Sequence, residues 1–428
     1  MDHVSPYDRF AHHHAAIEAW LAGGEHREEL RAFFGEAEHR ALSALARRAE
    51  RRGVDAAAPR VFLVPGIMGS QLGIERRAPL PHDILWLDPL DIQSGRLATL
   101  RLPDRARIVP LGIVLGSYLR LKLQLRARGF AVDVHDYDWR QPVALLGREL
   151  AARLRAAGSA RVALVAHSMG GLVARAALNQ PDTAHVERAV LLGTPHLGSF
   201  APVQALRGTY SVVRKVACLD AGASAERLAA RVFSSFPSLY DMLPQVPGPA
   251  TLLALRNWPR QGPRPRRTLL QAARRDRAQL GVLDARYTLI AGVGEETVTA
   301  IARRGEEFVY TLTRAGDGTV PAASAAPAGA PCLYAAVAHS ELTRDAVVAA
   351  KIADVLRHGR SARLPQRWKN RSRAQARISD AQLRRTQLAK VDWAALQPEE
   401  RRSFLENLNE PPQLTLRVPV RRRRTTRS

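Results

Sequence analysis

Residues 162–175 read VALVAHSMGGLVAR: an apolar run ends at Ala166, Ser168 stands at the turn, and Gly170 and Gly171 open a helical stretch. A strand, a serine on a sharp turn and a helix in immediate succession make a nucleophile elbow. Such a serine sits in a strained backbone conformation costing about 1–3 kcal/mol, and small neighbours let the strand and helix approach each other. The first small position holds Ala166 in place of glycine, and alanine still fits. A serine in an ordinary glycine-rich turn would give the same string, so its chemical partners must come from elsewhere in the chain.

Outward from the elbow, short apolar runs recur: VFLVP from 61, FAVDVHDY from 130, RVALVAHS from 161, RAVLLGTP from 188, YTLIAGVG from 287 and LYAAVAH from 333. Runs of this length and content read as buried parallel strands. Helical patterns over 113–128, 142–157 and 170–179 separate several of them, which predicts a doubly wound, mostly parallel α/β sheet over residues 56–358. Residues 198–283 interrupt the alternation with prolines and a basic stretch, and are expected to form an inserted cap. Residues 1–55 form an N-terminal segment in which Leu30, Phe33, Phe34, Ala37, Ala41, Leu42 and Leu45 predict one amphipathic helix across 25–52, ended by Gly53. Residues 359–428 form a basic tail. Its part from Ser379 to Asn409 keeps helical hydrophobes, among them Leu383, Leu388, Val391, Leu396, Phe404, Leu405 and Leu408, whereas 417–428 is expected to be disordered.

An attacking serine needs a base to take its proton and a carboxylate to fix that base in the right tautomer. In this architecture they follow the nucleophile, acid first and histidine second. Asp317 lies between two glycines in a tight loop after a possible hairpin, and His339 closes the last apolar run. A loop aspartate is commonly only a turn former, but Ser168, Asp317 and His339 stand in the required order and places. The oxyanion requires two backbone N–H donors. Met169 supplies one, and Ile67, after the close turn that Gly66 permits, supplies the other. Loss of one such donor costs about 2.7–4 kcal/mol of transition-state stabilisation.

The chain has 428 residues, 46% hydrophobic and 24% charged, which excludes a mostly disordered protein. Its formal net charge is +24, and a surface so basic attracts phosphates of nucleic acid or anionic lipid. Only five of the 64 basic residues are lysines, so a GC-rich genome accounts for the same composition without a partner. The tail from Arg360 onward holds 18 basic against six acidic residues. Cys218 and Cys332 stand far apart and indicate neither a disulfide framework nor a metal site. His12, His13 and His14 read as a solvated stretch, and no cofactor is called for. The first 20 residues lack a signal-peptide pattern and no 18-residue apolar run occurs, so a cytoplasmic protein, at most peripheral to a membrane, is expected.

The segments VPGIMGSQL from 64, WLDP from 86, YDWR from 137, AHSMGG from 166, GTPHLGS from 193, SFPSLYDMLP from 235 and GDGTVP from 316 together span roughly residues 60–345. In number and order they resemble the lecithin:cholesterol acyltransferase-like lipases and acyltransferases, a family that includes lysosomal phospholipase A2. The resemblance implies an α/β-hydrolase fold, Ser168 as nucleophile, Asp317 as acid, His339 as base, and Ile67 and Met169 as oxyanion amides. It also implies that Trp86 lies by the acyl pocket and that Asp138 and Arg140 brace the core. No cysteine near Trp86 is present to close the disulfide of the secreted relatives.

The expected activity is therefore an ester reaction through an acyl-enzyme, with water as acceptor in a lipase or phospholipase and an alcohol in an O-acyltransferase. Hydrolysis is the simpler reading, since it needs no second binding site. A small-ester esterase remains open, as does a basic membrane- or nucleic-acid-binding protein built on the same scaffold. The tail lacks the aromatic interleaving that base stacking requires, so anionic lipid headgroups are its expected contact. The motifs leave the acyl donor, the acceptor and the oligomeric state open.

Overall fold

The computed structural model describes residues 6–10, 14–158, 161–246, 251–327, 330–359, 364–372, 374–385, 389–406 and 408. The expectations for His12, His13, Leu388 and the segment 417–428 lie outside these residues. In chain order the strands are β1 (Arg60–Val64), β2 (Ser70–Ile74), β3 (Asp83–Trp86), β4 (Val109–Ile113), β5 (Val132–Val134), β6 (Val162–His167), β7 (Val186–Leu192), β8 (Tyr287–Gly292), β9 (Thr297–Arg304), β10 (Glu307–Thr313), β11 (Cys332–Ala335) and β12 (Ala376–Ser379). Six of them form the central sheet in the order β11-β8-β7-β6-β1-β5, and every neighbouring pair is parallel. These are the six apolar runs of the sequence.

Their side chains alternate between two cores, as a pleated strand buried on both faces requires. Phe62, Val64, Leu164, Ala166 and Leu191 enter one core with the helices Val143–Ala156 and Met169–Leu178. Val61, Leu63, Val165, Val190 and Ile290 enter the other with the helices Leu115–Arg126 and Ala346–His358. Two small antiparallel sheets flank the main one, β3-β2-β4 and β12-β10-β9.

The N-terminal segment holds three helices, α1 (His14–Gly23), α2 (Arg27–Phe34) and α3 (Glu36–Arg52), in place of the single helix expected over 25–52. Gly35, at φ 79°, breaks the run; its backbone N–H donates to the Arg31 carbonyl and ends α2 before α3 begins. All three helices contribute to the second core through Ile17, Leu21, Leu30, Phe34, Leu42 and Ala46. Buried Glu18 pairs with Lys122 and Arg126, and Glu38 with Arg120, so α1 and the start of α3 are both fastened to the helix Leu115–Arg126.

Between β7 and β8 the described residues form helices, among them Ala201–Arg207, Ser211–Leu219, Ala225–Arg231, Pro237–Asp241 and Arg267–Arg277, and no strand. The tail returns across them. β12 pairs with β10, and Asp380, wholly buried, accepts from Arg207 Nε at 2.8 Å and from Tyr310 Oη at 2.7 Å. Lys390 then donates to the carbonyls of Ala217 and Ala223, and the helix Pro398–Glu406 docks on α2, where Arg402 Nη1 donates to the Ala32 carbonyl at 3.2 Å.

Removing one partner of a buried ion pair strands the other charge. Asp380→Ala is therefore expected to lower unfolding stability by about 3–5 kcal/mol, read from urea titration. A loss under 1 kcal/mol would show that water reaches Arg207 and that the pair does not hold the tail.

Asp241, in the SFPSLYDMLP segment, accepts from the Val143 backbone N–H at 2.8 Å where the helix Val143–Ala156 starts. Burial raises its carboxyl to about 7, and Asp276 adds to the shift. The folded state thus prefers the protonated form, so this stabilisation is complete below pH ~4 and lost as pH rises through 7. Asp241→Asn should match wild type near pH 4 and unfold at higher denaturant than wild type at pH 8. Identical midpoints at both values would show Asp241 ionised in the folded protein.

Candidate active site

At the C-terminal end of β6 the backbone of Ser168 takes φ 54° and ψ −126°, a conformation that L-residues adopt only where their surroundings impose it. Its N–H donates to the Leu192 carbonyl at 2.8 Å, tying the turn to β7. The helix Met169–Leu178 follows at once, so the Met169 N–H is one of those that a helix leaves without an internal acceptor. Close approach of backbones fixes the corner. A β-carbon on Gly66 would lie 2.9 Å from that of Ser168, and one on Gly170 would strike the carbonyls of Val64 and Pro65.

The loop after β1 carries Ile67 and Met68 on the wall of the same cavity as Ser168. Met68 has a positive φ of 62°, and its carbonyl accepts from Trp86 Nε1 at 2.9 Å. Trp86 is 2% exposed, meets Trp139 edge to face and also lines the cavity. It is both a buried core aromatic and part of the cavity wall. Arg140 is buried and donates to Asp138, Asp104 and the Leu100 carbonyl, bracing the core.

Asp317 and His339 come together 22 residues apart in sequence. His339 Nδ1 lies 2.7 Å from Asp317 Oδ2, and Oδ1 of the same carboxylate accepts from the backbone N–H groups of Thr319 and Val320 at 3.0 and 2.7 Å. The Asp317 carbonyl accepts from the His339 N–H at 2.8 Å, which locks the two loops together. Asp317 is 1% exposed, whereas His339 lines the cavity beside Ser168. With Nδ1 held by the carboxylate, Nε2 is the ring nitrogen left to exchange a proton.

Two residues that the sequence reading missed complete the frame. The Gly66 N–H donates to Tyr118 Oη at 2.8 Å, Tyr118 Oη lies 2.9 Å from His167 Nδ1, and His167 Nε2 lies 3.1 Å from the His339 carbonyl oxygen. The carbonyl can only accept, so Nε2 carries the hydrogen and the tyrosine hydroxyl donates to Nδ1. Burial first, and the neighbouring His339 second, hold His167 well below the usual histidine range, so it stays neutral. Burial likewise raises the Tyr118 phenol and keeps it protonated. The relay runs from the glycine before Ile67 to the backbone of His339. His167 sat in the opening motif, but nothing local marked Tyr118 as its partner.

The cavity over Ser168 has a volume of about 680 Å³, within the range of small-molecule sites. Its walls include Ile67, Met68 and Trp86; Tyr7, Phe10 and Phe33 of the N-terminal segment; Val212, Leu239 and Met242 between β7 and β8; and Trp393, Leu405 and Leu408 of the tail. No group of three or more His, Cys, Asp or Glu positioned to hold a metal occurs among the described residues. Both cysteines are buried free thiols, and no described helix is long and apolar enough to cross a membrane.

A parallel sheet with a strained serine between β6 and its following helix, and an Asp–His pair on loops after later strands, decides the architecture. The fold is that of an α/β hydrolase. Residues 152–224 match the PGAP1-like alpha/beta domain family. No curated protein matches the chain. Among solved structures it is similar to the Bacillus licheniformis lipase BlEst2. Identity to the propeptide form is 17% over 71% of this chain and 51% of that one, with a TM-score of 0.38. Identity to the mature form is 17% over 71% and 94%, with a TM-score of 0.36. The chain thus spans about half the length of the propeptide form. A structure of the Tle4–Tli4 complex matches at 15% identity over 70% of this chain and 98% of that one, with a TM-score of 0.47. None of these matches singles out the lecithin:cholesterol acyltransferase-like family.

Tyr118→Phe leaves the buried Gly66 N–H without its acceptor. A stability loss of about 1–3 kcal/mol is expected, measured by denaturant unfolding at unchanged m-value. A change below 0.5 kcal/mol would show the amide finding another partner.

Proposed function

We propose that this protein hydrolyses long-chain lipid esters through an acyl-enzyme on Ser168. The observation that carries the reading is the shared cavity: Ser168 and the Asp317-held His339 border one large, mainly apolar space. In this reading Ser168 Oγ attacks the ester carbonyl carbon while His339 Nε2 takes its proton. The carbonyl π electrons move to oxygen, and the oxyanion receives hydrogen bonds from the N–H groups of Ile67 and Met169. Collapse expels the alcohol, protonated by the imidazolium. Water then attacks the acyl-enzyme with His339 as base, and the fatty acid leaves as Ser168 regains its proton.

Geometry supports this assignment of roles. Asp317 is buried, with Oδ1 held by two backbone donors and Oδ2 against the imidazole, an arrangement that orients the ring and fixes its tautomer. Size and lining support the substrate class, since the aromatic and aliphatic walls from both ends of the chain exceed what an acetyl or butyryl ester needs. The seven sequence segments support kinship with the lecithin:cholesterol acyltransferase-like family, with Trp86 bordering the acyl chain. Hydrolysis is preferred over transfer because a single cavity serves one substrate and water. Contact with anionic lipid through the basic tail stays part of the proposal. Arg384, Lys390, Arg401 and Arg402 donate to internal carbonyls, however, and contribute less to it than their charge suggests.

The test is product analysis after incubation of wild type and Ser168→Ala with phospholipid and triacylglycerol dispersions containing a long-chain alcohol. Wild type should release fatty acid, and the variant should lose at least about a thousandfold in rate at unchanged circular dichroism. Formation of a new ester in place of fatty acid would make the enzyme a transferase. Equal rates for the two proteins, or turnover of butyryl esters alone, would defeat the proposal.

A further inference from the structure

A second cavity, of about 490 Å³, lies at the other end of the sheet, lined by Arg48, Arg51, Arg52, Arg128, Arg357 and Asp55. Asp55 precedes β1 and its N–H donates to the Gly129 carbonyl just before β5, so this basin faces the N-terminal ends of the strands, whereas Ser168 stands at their C-terminal ends. The C-terminal ends of three helices deliver the arginines: α3 carries Arg48, Arg51 and Arg52, Ala346–His358 carries Arg357, and Arg128 follows Leu115–Arg126 just past its C-cap.

Helix ends account for some of this charge. Arg357 donates to the Arg128 carbonyl, and Arg128 Nη1 to that of Gln124 at 2.7 Å. Three helix C-termini carry about half a negative charge each, and Asp55 adds one, with Arg52 and Arg357 at 3.8 and 4.0 Å. Roughly two and a half negative charges thus face five guanidinium groups. Asp354, near Arg128, is already opposed by Lys351 at 4.0 Å. Arg48 and Arg51 are exposed and have no hydrogen-bond or ion-pair partner among the described residues. Arg128 is pushed below the usual arginine range by burial first and Arg48 next, as expected where like charges crowd.

We propose that the five-arginine basin binds a small anion bearing two or more phosphates. Guanidinium groups pair with phosphate oxygens bidentately, and several converging on one concavity select multiple charge over single charge. A soluble anion fits better than a membrane surface, because the basin lies at the opposite end of the sheet from the cavity over Ser168. A bilayer engaging it would hold Ser168 away from lipid.

Inorganic tripolyphosphate, titrated calorimetrically into the full chain at 100 mM salt, is the direct probe. Saturable one-to-one binding is expected, weakened at least tenfold in Arg48→Ala/Arg51→Ala. The control Arg105→Ala/Arg107→Ala, which removes the same charge from another exposed site, should bind within twofold of wild type. Absence of saturable binding, or equal weakening in both double variants, would overturn the proposal. So would sedimentation with anionic vesicles that depends on Arg48 and Arg51 while free tripolyphosphate does not bind, since that pattern assigns the basin to a lipid surface. Ester hydrolysis is not read in this experiment, so its outcome is independent of the reading of Ser168.

Discussion

The approach of the loop after β1 to the helix that follows Ser168 governs the rest of the molecule. Gly66 and Gly170 leave no room for a β-carbon between that loop, the serine and the helix, and Gly171 faces Thr194 in the same way. Backbone contact at this point holds Ser168 in its strained conformation, and the strain is offset by the surrounding sheet, whose alternate side chains fill cores on both faces. The same contact sets where Ile67 and Met169 present their amides. A corner this crowded cannot relax without pulling β1 away from β6, so the geometry of the site and the cohesion of the sheet are one constraint.

Much of this was readable along the chain because its signals are local. Six strands declared themselves as apolar runs, and the turn glycines around Asp317 and the end of the last strand marked two positions, Asp317 and His339, whose side chains pair in the structure. What failed to show depends on residues far apart. Gly35 sits within a continuous hydrophobic pattern, and only its positive φ reveals that it divides α2 from α3. Arg207 and Asp380 are separated by 173 residues, and nothing near either marks the other as its partner. Tyr118 carries no local mark, because its hydroxyl acquires meaning only when His167 and Gly66 come beside it.

The segments outside the family-like core prove to be walls of its cavity. Residues of α2 and of the helix Pro398–Glu406 meet over the site; ion pairs from the neighbouring α1 and α3 fasten the first to the core, while Asp380 and Lys390 hold the approach to the second. Such attachments are costly to break singly, since each leaves a charge without its partner. The size and shape of the cavity are therefore set in part by segments that lie outside the central sheet.

That division also gives the site a history during synthesis. Ser168 leaves the ribosome roughly 240 residues ahead of Leu408, an interval of about 10–50 seconds at ordinary elongation rates of about 5–20 residues per second. Throughout it the corner at Ser168 stands under an unfinished roof, with the apolar faces of Phe33 and Trp86 open to water or to any chaperone that meets them. The tail's share of the enclosing surface is made only after the corner it covers.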